Sequence, residues 1–296
     1  MRLAVFTKNR TNPAYAAARL GAERAAAVYG AQVEHYVPDA PDDPEEQSAL
    51  IDRALATHPD AFVLSPVHAS RVDPAIRRIA AAGIPMAGFV NPIGAARSLC
   101  YVGADDARLA REMADYLFRH MHGQGSVLVV TGPEHSVTSV DRLRGFRESA
   151  QQQPGIRIVG QLVGDYARAV AKTRSTQWLR ANGCPDACLV ANDIMAVGVL
   201  EALEEAGCRS LVVGVNAIPE AVQAIAAGRM LATADFNAMQ MAFLATECAI
   251  RHLRGHSVPA HIELSVRIVD QGNCRDWDVP YEQRPLLTFE QIQETS

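Results

Sequence analysis

The residues best placed to do chemistry follow the apolar run Leu189-Val190-Ala191, which predicts a buried strand. Asn192 comes next, and from Ile194 onwards apolar residues recur three and four apart, which predicts a helix. An amide at the carboxyl end of a parallel strand offers donors and an acceptor, so it suits a neutral polyhydroxylated ligand. The alternative for Asn192 is a hydrogen bond to the turn backbone. Asp193 is predicted to cap the helix, because its carboxylate can accept from first-turn amides.

Lys8 comes directly after the first predicted strand. Its ammonium can donate to a ligand, and the alternative is a solvated loop lysine. Asp105 and Asp235 are interpreted as residues of a helix cap and of a chain crossing rather than as ligand contacts.

Motifs of other chemistries are incomplete. The chain has no GxSxG nucleophile elbow and no Walker loop, and His135 and Ser136 are only neighbours in sequence. His120 and His122 form an HxH pair without a third metal ligand, and the glycines around Gln124 do not make a dinucleotide loop. The sequence therefore predicts a protein that is not an enzyme, with no catalytic residues, no metal site and no cofactor.

Composition narrows the class of protein further. The chain has 296 residues, of which 49% are hydrophobic, so two packed domains are expected. The net charge is -5 with both signs scattered, and this predicts that nucleic acid is not a partner. No apolar run is long enough for a membrane span.

Short apolar runs alternate with amphipathic stretches along most of the chain, which predicts repeated βαβ units and parallel sheets. One series ends near Tyr101 and a second follows it, so we expect an α/β protein with two Rossmann-like lobes, each a parallel sheet flanked by helices. Residues 1–104 plus 236–265 are predicted to form the N-terminal lobe, and residues 105–235 plus 266–296 the C-terminal lobe. The resulting three crossings predict a three-segment hinge that closes the lobes on a ligand.

Eight short stretches occur in a distinctive order within residues 3–270: Thr11-Asn12-Pro13-Ala14-Tyr15, Gly83-Ile84-Pro85, Val102-Gly103-Ala104-Asp105, Arg142-Leu143-Arg144-Gly145-Phe146, Gly164-Asp165-Tyr166, Asn192-Asp193-Ile194-Met195-Ala196-Val197-Gly198, Val213-Gly214-Val215-Asn216 and Gly228-Arg229-Met230-Leu231-Ala232-Thr233. In this order the chain resembles the type I periplasmic sugar-binding proteins, close in pattern to the ribose-binding group. It is also similar to the ligand domains of lactose-repressor-type regulators.

The resemblance implies a monomeric solute-binding protein that captures a small neutral sugar or sugar alcohol between its lobes and delivers it to the membrane permease of an ABC importer. Matched by position, it implies pocket residues from both lobes: Lys8, Asn12, Tyr15, Asn91, Arg142, Tyr166, Asn192, Asn216 and Phe236. Their aromatic rings can stack on a sugar face while amides and charges bond its hydroxyls.

Departures from the ribose-type pattern indicate another ligand. An Asp-Arg pair is replaced by Val90-Asn91, and the position of a further pocket arginine is Val140, with Arg142 nearby. Asn216 stands where an aspartate is usual, and Phe236 where a glutamine is usual. An amide-rich site with fewer charges favours a sugar alcohol or a less common sugar over D-ribose.

The resemblance implies a periplasmic location, and the rival interpretation is a cytoplasmic ligand-sensing domain of a regulator that lacks its DNA-binding part. The chain start at Met1-Arg2 fits either. The six cysteines are expected to be mostly buried thiols, with one bridge among Cys184, Cys188 and Cys208 left open, and their number slightly favours a reducing compartment.

Overall fold

The computed structural model describes residues 1–295. The first run of elements comprises β1 (Arg2–Phe6), α1 (Pro13–Tyr29), β2 (Gln32–Tyr36), α2 (Pro44–Ala56), β3 (Ala61–Leu64), α3 (Asp73–Ala81), β4 (Met86–Phe89) and β5 (Cys100–Gly103). The second comprises α4 (Asp106–His120), β6 (Gln124–Thr131), α5 (Val137–Gln151), β7 (Gly155–Val163), α6 (Arg168–Asn182), β8 (Ala187–Val190), α7 (Asp193–Glu205), β9 (Leu211–Val215), α8 (Pro219–Ala226) and β10 (Ala232–Asp235). The chain ends with α9 (Ala238–Leu253), β11 (His261–Glu263), β12 (Arg267–Asp270) and α10 (Phe289–Thr295).

The strands form two separate sheets. Sheet A has the order β11-β5-β4-β3-β1-β2, with parallel neighbours throughout. Sheet B has the order β12-β10-β9-β8-β6-β7, in which β12 runs antiparallel to β10 and the other neighbours are parallel. The prediction of an α/β fold with two lobes built on parallel sheets is confirmed.

The chain divides into two compact units. The first holds residues 1–104, 237–265 and the segment from Pro280 onwards, and the second holds residues 105–236 and 266–279. The sequence predicts residue 236 in the N-terminal lobe and all of residues 266–296 in the C-terminal lobe, whereas Phe236 belongs to the second unit and the segment from Pro280 onwards to the first. The tail lies on the first unit because the Gln240 side chain bonds both backbone groups of Leu287, at 2.6 and 2.7 Å.

Apolar side chains of the strands form the core of each unit. In the first unit, the rings of Phe6, Tyr36 and Phe62 stack in one cluster with the apolar faces of α2 and α3. In the second unit, the central strand β8 is fully buried. Such runs without alternation are expected where helices cover both faces of a parallel sheet.

The alternating apolar residues of the segment 262–269 predict one strand, and the structure has two, β11 and β12. Leu264 N still donates to Gly103 O beside β5, whereas Arg267 already pairs with Asp235 of β10. The apolar alternation runs through the change of sheet, so the pattern alone does not reveal it. None of the helices in residues 1–295 is long and apolar enough to cross a membrane.

Candidate functional site

In the first unit, candidate residues gather in the loop after β1. Lys8 is 2% exposed, and its Nζ lies 4.0 Å from Oδ1 of Asp42. Asn9 Nδ2 donates to the same carboxylate oxygen at 3.2 Å. Lys8 is therefore a buried, charge-compensated residue rather than a solvated loop lysine.

Asn12 begins α1. Its Oδ1 accepts from Ala14 N at 3.0 Å, and its own backbone N–H donates to Oδ1 of Asn9 at 2.9 Å. Pro13 occupies the first helical position, where its missing N–H costs nothing. The cap fixes where the helix starts, and this sets Tyr15, which is also buried, in the first turn.

The loop after β4 presents Asn91 from a strained backbone. Val90 has a φ of 63°, which is unusual for a β-branched residue, and Tyr101 Oη donates to Val90 O at 2.8 Å. Asn91 Nδ2 donates to Pro66 O at 2.7 Å, while its buried Oδ1 has no hydrogen-bond partner among residues 1–295. Backbone strain beside an unpaired buried polar atom is typical of a ligand-binding site.

Ser65 is a further candidate that the sequence did not indicate. It follows β3 directly, whereas Asn91 comes two residues after β4, and its buried Oγ likewise lacks a partner in the described part of the chain. Gln47 shapes this loop, because its amide donates to Ser65 O at 3.1 Å and accepts from Val67 N at 3.0 Å. The position of Ser65 at the end of an apolar strand was the sequence feature that could have identified it.

In the second unit, Arg142 links several candidates. Its Nε donates to Oδ1 of Asp106 at 2.6 Å, and one terminal nitrogen donates to Ala191 O, also at 2.6 Å. Its guanidinium lies 5.0 Å from the ring centroid of Phe236. Val140, at the matched position, is 51% exposed, so Arg142 is the residue of α5 that reaches this cluster.

The structure gives the capping role at the start of α7 to Asn192 and not to Asp193. Asn192 is the cap of α7, since its Oδ1 accepts from Met195 N at 3.0 Å. The prediction that Asp193 caps the helix is wrong: Asp193 is fully buried, and its carboxylate accepts from Thr233 Oγ1 at 2.7 Å and from Ile218 N at 3.1 Å. Burial raises the Asp193 pKa to about 7, although these hydrogen bonds and the Arg142 charge oppose the rise.

Asn216 follows β9 with a φ of 126°, outside the regions that residues other than glycine favour. Its buried Oδ1 has no partner within the residues that the structure describes. Tyr166 also has a positive φ, 53°, and its hydroxyl lies 3.0 Å from Thr138 Oγ1 of α5. Gly132 makes room for the Tyr166 ring, because a Cβ there would lie 2.3 Å from a ring atom.

The predicted residues therefore fall into two sets. In the first unit, Lys8, Asn12 and Tyr15 share one loop and helix start, and Asn91 joins Ser65 through the Pro66 carbonyl. In the second unit, Arg142 contacts Phe236 and the carbonyl before Asn192, while Asp193 holds the loop after Asn216. Tyr166 is linked to α5 at Thr138, four residues before Arg142. No group of three or more metal-ligating side chains that could hold a metal ion occurs in residues 1–295.

Comparisons with known proteins agree with this fold. A family model described as "Periplasmic binding protein domain" matches residues 3–257. The ribose import binding protein RbsB of Bacillus subtilis is 26% identical over 91% of this chain and 86% of its own length. The xylitol-binding protein of Mycolicibacterium smegmatis is 23% identical over 66% of this chain, and that alignment spans 56% of the relative.

A crystal structure of a Caulobacter myo-inositol binding protein bound to myo-inositol is similar to the chain in fold. The TM-score is 0.85 and the sequence identity 27%, and the match covers 93% of this chain and 95% of the other.

Proposed function

Because the chain belongs to the periplasmic binding protein domain family, we propose that it binds a small neutral sugar or polyol and delivers it to the permease of an ABC importer. In this proposal the protein acts as a monomer, catalyses no reaction and binds no nucleic acid. Its ligand contacts are Lys8, Asn12, Tyr15, Asn91, Arg142, Tyr166, Asn192, Asn216 and Phe236, together with Ser65.

The observation that carries the proposal is the pair of orphan acceptors, Asn91 Oδ1 and Asn216 Oδ1. Both atoms are buried, and neither has a hydrogen-bond donor within residues 1–295. A buried polar atom left unpaired costs about 1 to 3 kcal/mol, so a ligand that supplies a donor is favoured. Hydroxyl groups are donors that carry no charge, which suits a sugar or polyol.

The charged side chains among the proposed ligand contacts support a neutral ligand. Lys8 lies beside Asp42, and Arg142 is bonded to Asp106, so each buried cation already has an anion. A charged ligand would therefore bring a charge that has no buried counter-ion, which is expensive in a low-dielectric site. The charges instead favour hydrogen bonding to hydroxyls.

A disulfide supports the periplasmic location. Cys184 and Cys208 are bonded, whereas Cys100, Cys188, Cys248 and Cys274 are buried free thiols. Structural disulfides persist in oxidising compartments such as the periplasm and are rare in the cytosol. The bridge therefore outweighs the weak indication of a reducing compartment taken from the number of cysteines, and it disfavours the cytoplasmic regulator.

Calorimetry against xylitol, ribitol, myo-inositol, D-allose and D-ribose tests the proposal. At least one alditol or cyclitol is expected to bind with micromolar affinity, near -8 kcal/mol, and more tightly than D-ribose. At 100 times the dissociation constant, the ligand should stabilise the protein by about 2.7 kcal/mol, visible as a rise in Tm. A clear preference for D-ribose would remove the polyol assignment, and no binding by any sugar or polyol would remove the function.

A further inference from the structure

The buried carboxylate of Asp193, the first residue of α7, is not needed to cap that helix. Asn192 already caps α7 through its Oδ1. Asp193, in the next position, is 0% exposed and directs its carboxylate away from its own helix, towards the loop after β9. Burying a carboxylate is costly unless it is hydrogen-bonded, so the contacts of Asp193 must compensate that cost.

The carboxylate holds two consecutive backbone amides. Oδ2 of Asp193 accepts from Ile218 N at 3.1 Å, and Oδ1 accepts from the Thr233 hydroxyl at 2.7 Å. Thr233 Oγ1 in turn accepts from Ala217 N at 3.3 Å. Asp193 and Thr233 thus form a clamp on the backbone immediately after Asn216.

The loop needs such a clamp because its backbone is strained. Asn216 has a φ of 126° and Ala217 a φ of 50°, two successive values that residues with a Cβ rarely adopt. Such conformations persist only where surrounding contacts enforce them. These backbone angles also set the direction of the Asn216 side chain, whose buried Oδ1 has no hydrogen-bond partner in the described residues.

Gly214 shows that the neighbouring strand accommodates the carboxylate. A Cβ at Gly214 would lie 2.3 Å from Asp193 Oδ1, so any other residue would displace the clamp. β9 therefore carries its glycine where Asp193 must reach the loop.

We propose that Asp193 is a positioning residue which, through Thr233 and the amides of Ala217 and Ile218, holds Asn216 in the orientation that contacts the ligand. This rests on the proposed function, and it adds a residue that touches no ligand itself. Asp193 also follows Asn192 directly in the chain, so it connects two proposed ligand contacts, Asn192 and Asn216.

Ionisation of Asp193 gives the clamp a pH dependence. The charged form accepts two hydrogen bonds most strongly, and the pKa of about 7 means that the charge is lost as the pH falls through neutrality. The charged group that faces it is Arg142 of α5, itself bonded to Asp106. The Asn216 contact should therefore weaken in acid.

A double-mutant cycle tests the proposal, with the tightest-binding compound of the alditol, cyclitol and sugar panel as probe. D193N and N216A are each expected to weaken binding at least tenfold, and the double variant to bind no worse than about threefold below N216A. Such non-additivity is expected if Asp193 acts through Asn216. D186N, which changes an exposed aspartate just before β8, is the control and should bind like wild type.

A pH series adds a readout that a merely structural role would not change. Wild-type affinity should fall several-fold between pH 8 and pH 6, and the affinity of D193N should stay constant over that range. If D193N does not fold, T233V removes the hydroxyl of the clamp and should show the same coupling to N216A.

The outcomes separate the two proposals. If the wild type binds none of the compounds, the proposed function fails. If the wild type binds but D193N and T233V bind equally well, or their effects add fully to that of N216A, the positioning role of Asp193 is overturned.

Discussion

A single side chain can serve both the fold and the proposed site. Asn192 uses its Oδ1 to cap α7, which leaves its Nδ2 for another partner. The sequence presented turn contact and ligand contact as alternatives for this residue, yet an amide has separate atoms for each. One residue can therefore begin a helix and donate to a ligand.

Replacing Asn192 separates these two roles. N192A and N192S should both weaken ligand binding at least tenfold, because both remove the amide donor. N192A should also lower the free energy of unfolding by about 1 kcal/mol, whereas serine retains a cap acceptor and should cost less. Calorimetry and urea unfolding measure the two effects, and unchanged affinity in both variants would leave Asn192 with the capping role alone.

Arg142 is expected to be critical for stability as well as for the site. R142A should lower the free energy of unfolding by about 3 to 5 kcal/mol, since it removes the guanidinium that balances the charge of the buried Asp106 carboxylate. R144A, on the same helix, is the matched control: Arg144 is exposed and pairs with Asp141 at 3.0 Å. Its loss should cost less than about 1 kcal/mol in urea unfolding, and equal effects of the two variants would contradict the difference in burial.

At the scale of elements, strands and helices were predictable because apolar residues recur with the period of each. The end of a predicted strand also indicated Asn192, whereas Asn91 and Asn216 came from the family resemblance, matched by position. The contacts of Asp193 were not predictable, because they depend on Thr233, forty residues later, and on the space left at Gly214. Contacts between distant segments leave no local periodic signal.

The tail has no such periodicity, and its place on the first unit depends on a few polar contacts. Gln240 bonds Leu287, and buried Glu247 accepts from Phe289 N at 2.9 Å. Through these contacts with backbone groups of the tail, Gln240 and Glu247 hold the tail along α9.

Removing the Gln240 side chain should loosen the tail. Q240A leaves both backbone groups of Leu287 without their partner, so limited proteolysis should cut the segment after residue 280 several-fold faster than in wild type. Q283A changes an exposed tail residue and should be cut at the wild-type rate. Equal rates for Q240A and wild type would show that other contacts hold the tail.

At the scale of the whole molecule, the disulfide between Cys184 and Cys208 closes a loop across a sequence separation of 24. Replacing both residues by serine should lower the free energy of unfolding by about 3 kcal/mol, mainly because the unfolded chain gains freedom. Dithiothreitol should destabilise the wild type similarly and leave the double variant unchanged.

Thiol titration of the unfolded, unreduced protein provides an independent check. Four of the six cysteines should react, because the described residues include every cysteine and four are free. Six reactive thiols in protein isolated from the periplasm would contradict the bridge.

The division of sheet A along the chain has a consequence for synthesis. Its edge strand β11 and the helix α9, which packs closely on α1, come from residues 238–263, after the whole of β6 to β10. A ribosome therefore releases the complete chain segment of the second unit's main βα series before the first unit has its last helix and strand. The first unit, which begins at the N-terminus, is thus the one that completes its fold late. In a nascent chain halted near residue 230, this unit would lack α9 and β11, so its apolar surface would be exposed and would need a chaperone.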